Sequence, residues 1–339
     1  MDEIARRRIG TTDLKVTEVG FGGAALGNLF ASVADADAEA ALDLAFERGL
    51  RLFDTAPFYG FGLSEERMGR VLSTKPRESF VLSTKVGRLV RALRAGEAMP
   101  PQFVQTGAAA LTVDYDYSRD GVRRSIEASL RRLDLDRIDI ALVHDIGEQT
   151  HGAGHEPLTR MAMQEGLPAL NDMKREGLIG AVGIGVNEIA VCERTLREAE
   201  VDCFLLAGRY TLLEQTPLDG FFERCREANV SIVAGGPFNS RLLASRSAPG
   251  ATYNYKPADE AILGRTRLIY DVCASHGVDV GAAALQFVLA HPVVAAVIPG
   301  IRTPAEVADT LARYKARLPS ALWSDLRAAG LLDARAPTP

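Results

Sequence analysis

The amino-acid sequence predicts an α/β protein, a (β/α)8 TIM barrel spanning residues 1–339, with an N-terminal β-hairpin plug and long loops after strands. Three observations predict it. Short β-branched or apolar runs alternate with stretches of helical periodicity, the strand-then-helix units number eight, and both unusually long connections follow strands. The expected pairs are 19–22 with 36–47, 50–53 with 64–72, 80–83 with 120–133, 138–144 with 158–176, 179–185 with 188–200, 203–206 with 219–228, 230–234 with 258–276 and 294–298 with 304–317. Eight parallel units close naturally into a ring, whereas an open doubly wound sheet of that size without a second domain is the less common outcome. Ahead of the first unit, residues 8–18 alternate weakly around Gly10 and Asp13 and predict the hairpin. The long connections, 88–119 and 239–256, carry Asp114-Tyr115-Asp116-Tyr117 and Tyr253 with Tyr255, and are expected to cover the site.

Composition narrows the function. With 47% hydrophobic and 24% charged residues and a net charge of -5, the chain is ordinary globular protein without a basic stripe, so no nucleic-acid partner is expected. The first ten residues are polar and arginine-rich with no apolar run behind them, and no later run is long enough to span a bilayer. A cytoplasmic protein with a small-molecule partner and no membrane association is the expectation. Cys192, Cys203, Cys225 and Cys273 are scattered without a C-x-x-C pair, as reduced core thiols are. No G-x-S-x-G elbow or H-E-x-x-H is present, and His151 and His155 lie in a glycine-rich loop without a third ligand, so no metal site is expected.

Gly20-Phe21-Gly22-Gly23-Ala24-Ala25 matches a loose dinucleotide fingerprint. That fingerprint delivers a pyrophosphate onto a helix N-terminus, so its glycines must run directly into a helix. Here the next convincing helix begins near Ala36, and the glycines read instead as a strand end that a ligand can approach closely. Gly183-Ile184-Gly185 matches only half the pattern.

Three consecutive strands end in polar groups: Asp54 in Phe53-Asp54-Thr55-Ala56-Pro57-Phe58-Tyr59-Gly60, Lys85 in Leu82-Ser83-Thr84-Lys85, and His144 in Leu142-Val143-His144-Asp145. Each alone has an ordinary reading, as a turn residue, a snorkelling lysine or a satisfied core histidine. In a barrel these strand ends share one rim, so Asp54, Tyr59, Lys85 and His144 can converge. A tyrosine ionises near pH 10, and a neighbouring ammonium lowers that value. Lys85 would supply the ammonium, Asp54 its counter-charge, and His144 a hydrogen bond to a substrate oxygen.

These motifs, with Ser64-Glu65, resemble the three signature regions of the aldo-keto reductase family, in order and over nearly the whole chain. The resemblance implies a nicotinamide cofactor bound extended without a Rossmann domain, and a catalytic tetrad at Asp54, Tyr59, Lys85 and His144. It implies cofactor contacts at Gly23, Ala24 and Asp54 near the nicotinamide ribose, and at Pro237, Phe238, Asn239 and Ser240 around the pyrophosphate. Gly300, Arg302 and Glu306 would lead into the adenosine site. The family's Ser-Asn pair for the carboxamide is replaced by Gly185-Val186-Asn187, which leaves Asn187 as the candidate, and Leu206-Ala207-Gly208-Arg209-Tyr210 stands where a glutamine often precedes the ring-stacking tyrosine.

The acidic Glu306 and Asp309 would repel a 2′-phosphate and accept from a ribose hydroxyl, so NAD is the expected cofactor; Arg302 pulls towards NADP, which keeps dual use open. Gly183–Glu188, Gly235–Ser240 and the loop with Tyr255 are most similar to the family's sugar dehydrogenase branch, which oxidises L-fucose, L-galactose or D-threo-aldoses at C1, and whose close relative oxidises pyridoxal. The implied substrate is a sugar or aldehyde, met by Phe58, Tyr59, His144 and Tyr255. A cofactor-binding accessory subunit without activity, a general aldehyde or ketone reductase and a metal-dependent barrel hydrolase are the alternatives.

Overall fold

A computed structural model describes residues 3–98, 103–104, 110–245, 252–254 and 256–339. Strands β1 (Arg6–Arg8) and β2 (Lys15–Thr17) pair antiparallel and precede the barrel. The hairpin therefore sits nearer the N-terminus than the expected 8–18, because the arginines of β1 pair by backbone and need no apolar alternation. Its turn inserts Ile9, which together with Val16 is buried against the inward side chains Leu52, Val81 and Ile140 and closes the barrel floor.

The barrel strands are β3 (Phe21–Gly22), β4 (Leu52–Asp54), β5 (Val81–Val86), and, after the hairpin of β6 (Arg88–Ala92) and β7 (Leu111–Tyr115), β8 (Ile140–His144), β9 (Ala181–Val186), β10 (Cys203–Ala207), β11 (Ser231–Gly235) and, after the short pair β12 (Thr252–Tyr253) and β13 (Lys256–Pro257), β14 (Val294–Ile298). Neighbours run parallel in the order β14-β11-β10-β9-β8-β5-β4-β3. The ring closes through parallel bridges Val19↔Val297 and Gly22↔Gly300.

Helices α1 (Asp35–Glu47), α2 (Leu63–Leu72) and α3 (Arg119–Leu133) follow the first strands, and α4 (Glu148–His151), α5 (His155–Met161) and α6 (Leu167–Arg175) follow β8. A π turn, Ala162–Gly166, joins α5 to α6, so the stretch expected as one helix at 158–176 is two helices with a widened turn between. Next come α7 (Ile189–Glu198), α8 (Phe221–Glu227), α9 (Glu260–Ser275), α10 (Val280–Ala290), α11 (Pro304–Lys315) and α12 (Ser320–Ala328). Asp259, Asp279 and Thr303 cap α9, α10 and α11 by accepting from backbone N–H groups of the first turn.

Besides the four-residue α4, two helices escaped the periodicity reading. α10 is apolar on nearly every side and buried almost throughout, so it carries no amphipathic signature. α12 lies beyond the eighth unit and packs Leu322, Trp323 and Leu326 into the core. The connection 88–119 is likewise no bare loop among its described residues, since β6 and β7 form a five-pair antiparallel ladder. No single helix among the described residues is long and apolar enough to cross a membrane.

Candidate active site

Alternation along the strands aims the polar residues inward. In β4, Leu52 faces the barrel interior and Phe53 the helices, which turns Asp54 inward at the strand's end. In β5, Val81 faces in and Leu82 out, so Ser83 and Lys85 face in; in β8, Ile140 and Leu142 face in and lead to His144. Three strand ends thus deliver Asp54, Lys85 and His144, all nearly fully buried, to one mouth.

Lys85 Nζ donates to Asp54 Oδ2 at 2.8 Å and to the Thr55 carbonyl at 2.9 Å. Ser83 Oγ donates to Asp54 Oδ1 at 2.8 Å, so both carboxylate oxygens are engaged. Burial alone lowers the proton affinity of Lys85, but Asp54 and Tyr59 outweigh it and hold the ammonium charged. Burial pushes the Asp54 carboxyl up, and Lys85 and Ser83 pull it back. Removing one partner of such a buried pair costs about 3–5 kcal/mol, so the pair also fixes geometry. Gly185 on β9 leaves room for the lysine stem, since a Cβ there would come within 3.2 Å of Lys85 Cε.

Tyr59 reaches this ammonium from the loop after β4: Nζ stands 4.7 Å from its ring centroid, and the His144 ring meets it edge-on at 5.9 Å. Although part of its surface is open, Tyr59 is closely surrounded, and burial raises its hydroxyl above the ordinary value. Lys85 opposes that rise without reversing it, which corrects the expectation of a net lowering. His144 is held well below its ordinary value by burial first, then by Arg88 and Lys85, so the ring is neutral; its Nδ1 is buried without a hydrogen-bond partner. Phe58, Phe61 and Phe103 pack edge-on around the mouth, with Phe58 6.1 Å from the His144 ring.

The other residues singled out from sequence lie along the remaining arc of the rim. Gly23 opens a 3-10 turn, Gly23–Gly27, that also holds Ala24, and Ser64 Oγ donates to the Gly23 carbonyl at 2.8 Å. The glycines of the rejected fingerprint thus enter a short turn, and α1 starts only at Asp35. Asn187 follows β9 and donates from Nδ2 to the Ala207 carbonyl at 3.0 Å. Pro237, Phe238, Asn239 and Ser240 follow β11 in a loop where Gly236, Asn239, Ser240 and Arg241 all have positive φ. Gly300 pairs with Gly22 across the barrel closure. Arg302 donates to Glu306 Oε1 from Nη2 at 2.6 Å, so the two groups expected to compete over cofactor choice are paired with each other. Tyr255 lies outside the described residues.

This arc fits an extended dinucleotide. Asn239 Oδ1 is a buried acceptor without a partner, and the space where Gly300 would carry a Cβ is empty to 4 Å. Sequence reasoning passed over Ser83, Arg88 and Asp145, although Ser83 and Asp145 lie inside the quoted motifs, and over Gly27. His151, weighed as a metal ligand, instead meets the Tyr117 hydroxyl at 3.0 Å and packs edge-on to the Tyr115 ring.

Comparison with known proteins shows the family. Residues 18–330 match the model of the aldo/keto reductase family. The chain is 38% identical to pyridoxal 4-dehydrogenase of Microbacterium luteolum over 97% of this chain and 98% of the relative. It is 37% identical to D-threo-aldose 1-dehydrogenase of a Pseudomonas species over 96% of each. The holo form of aldo-keto reductase AKR11C1 from Bacillus halodurans superposes with a TM-score of 0.76 at 26% identity, covering 98% of this chain and 97% of that one. The chain belongs to the aldo/keto reductase family and is an NAD(P)-dependent oxidoreductase.

Proposed function

We propose that this enzyme oxidises an aldose at C1 to the aldonolactone, with Tyr59 as the group that moves the hydroxyl proton and NAD as the preferred cofactor. The observation that carries the reading is the Lys85 ammonium, bonded to Asp54 at 2.8 Å and 4.7 Å from the Tyr59 ring centroid. Bound nicotinamide supplies an acceptor for the hydride, or a donor when the reaction runs backwards. In oxidation the C1–H bond breaks with its electron pair leaving as hydride, the C1–O double bond forms, and the hydroxyl proton passes to Tyr59 as phenolate. In reduction Tyr59 enters as the phenol and returns that proton to the carbonyl oxygen. Lys85 stabilises the phenolate, Asp54 keeps Lys85 charged and aimed, and neutral His144 donates to the substrate oxygen. Asn187, Asn239 and the Gly300 segment hold the cofactor. With Arg302 occupied by Glu306, the guanidinium is not free for a 2′-phosphate, which supports NAD.

The aldose assignment draws on likeness to D-threo-aldose 1-dehydrogenase. A second reading, oxidation of pyridoxal, is favoured by the half-buried Phe58, which Phe61 and Phe103 back edge-on and which suits a flat ring, and by the likeness to pyridoxal 4-dehydrogenase. Measuring kcat/KM for L-fucose, L-galactose and pyridoxal with NAD and with NADP separates them. We expect an aldose with NAD to exceed pyridoxal by at least about tenfold. The reverse order would replace the aldose reading with the pyridoxal one.

A further inference from the structure

Beside the four converging residues lies a second ion pair, with a buried guanidinium and a half-buried carboxylate, that this reaction does not use. Arg88 opens β6, where the chain leaves the barrel just beyond Lys85, and its side chain is only 3% exposed. Its guanidinium lies 4.1 Å from the Phe58 ring centroid and donates from Nη2 to Asp145 Oδ2 at 2.6 Å. Asp145 directly follows His144 and holds a left-handed backbone, φ 45°, which its own N–H secures by donating to the Gly185 carbonyl at 2.9 Å. The Tyr117 hydroxyl is 2.9 Å from the His144 carbonyl and 3.3 Å from that of Asp145, bracing both residues.

The same oxygen, Asp145 Oδ2, also stands 3.4 Å from His144 Nε2. One carboxylate therefore faces two potential cationic partners. At 2.6 Å the guanidinium makes a short charge-assisted bond, while the imidazole has only a long contact. An aspartate left alone beside a histidine favours the imidazolium and ties up its N–H. We propose that Arg88 and Asp145 are a positioning pair: Arg88 occupies the carboxylate, so that His144 stays a neutral ring whose N–H is available to the substrate oxygen. The inference rests on the role given to His144 above.

The charges around His144 agree with this assignment. Lys85 faces it from β5, Arg88 from β6, Tyr59 from the loop after β4, and Asp145 from its own chain. Tyr117 braces its backbone and meets His151, and Glu188, ahead of α7, lies close enough to Asp145 for their charges to repel. Burial disfavours the imidazolium most, and two fixed cations, Arg88 and Lys85, add to it against one nearby carboxylate. Asp145 is 21% exposed yet closely surrounded; loss of water pushes its carboxyl up, and Arg88 opposes that rise.

The test is an NMR pH titration of the ring carbons of the five histidines in the full chain, with the His144 signal assigned by its loss in His144→Asn. Arg88→Met is expected to raise the His144 midpoint by about one to three pH units, since the freed carboxylate then pairs with the imidazolium. In parallel the acid limb of kcat/KM should move up, with a loss of about tenfold or more near pH 6 that recovers at higher pH. Arg88→Lys should restore most of the parental profile, and Arg88→Met with Asp145→Asn should bring the midpoint back down. An unchanged midpoint in Arg88→Met, or a loss of activity equal at every pH, would overturn the proposal. Should Arg88→Met not fold, Asp145→Asn alone decides: a midpoint at or below the parental one supports the pair, and a rise contradicts it. The titration reads His144 without turnover, so inactivity on every sugar would sink the aldose reading and leave this result standing.

Discussion

Tyr59 and His144 illustrate how the same burial acts oppositely on an acid and a base. For the tyrosine, loss of water penalises the phenolate and raises the hydroxyl, with Lys85 opposing; for the histidine it penalises the imidazolium and keeps the ring neutral. At neutral pH the resting groups are therefore a protonated tyrosine and an uncharged histidine, the forms that serve carbonyl reduction. Oxidation needs Tyr59 to accept a proton, and that form grows as pH rises. The oxidative kcat/KM should accordingly climb steadily from about pH 7 towards pH 10, close to one decade per unit where the phenolate fraction limits. The reductive rate should stay level over that span and fall only above it. Parallel profiles in the two directions would contradict the assignment of Tyr59. Asp54, Lys85 and His144 were legible in the sequence because an ionisable residue at a strand's last positions stands out against apolar neighbours. Arg88 was not, because an arginine opening a polar loop looks like any solvated one, and only the structure seats it on Phe58.

At the scale of elements, the loop that carries Tyr59 is held by the turn after β3. Gly27 and Gly60 meet backbone to backbone: a Cβ on Gly27 would lie 2.3 Å from the Tyr59 carbonyl carbon, and Gly60, at φ 66°, would clash in return with the Gly27 carbonyl. Arg67 of α2 ties the same turn down, donating from Nη1 to Asn28 Oδ1 at 3.0 Å and from Nη2 to Asp35 at 2.6 Å. Gly27→Ala must push the tyrosine loop outward, because its nearest obstacles are backbone atoms. It should cost about 1–3 kcal/mol of stability, seen as a lower denaturant midpoint. A displacement near 1 Å should also lower kcat by about a hundredfold. Unchanged kcat would show that this contact does not place Tyr59. The strand and helix units were readable wherever one face is apolar and the other polar; β14 lies where periodicity puts it, at 294–298. α10 was not, since a helix buried all round has no period to detect, and neither was the β6–β7 hairpin, whose ladder depends on backbone pairing between segments about twenty residues apart.

For the molecule as a whole, closure of the ring turns sequence distance into contact. Asp54, Lys85 and His144 come from adjacent strands β4, β5 and β8, while the cofactor candidates follow β9, β11, β14 and β3 around the other arc. The hairpin fills the opposite end with Ile9 and Val16, while Asp54, Ser83, Lys85 and His144 gather at the other mouth. That division into a proton-moving arc and a cofactor-holding arc predicts that the two functions separate on mutation. Tyr59→Phe removes one oxygen and leaves the ring, the Lys85–Asp54 pair and the cofactor arc in place. The most direct measurement is kcat for the preferred substrate alongside the Kd for NAD, by fluorescence titration, in the parental enzyme and in Tyr59→Phe. In Tyr59→Phe kcat should fall by about a hundredfold or more while Kd changes by less than about threefold. Retention of kcat within about threefold would contradict it, because some other group would then be moving the proton.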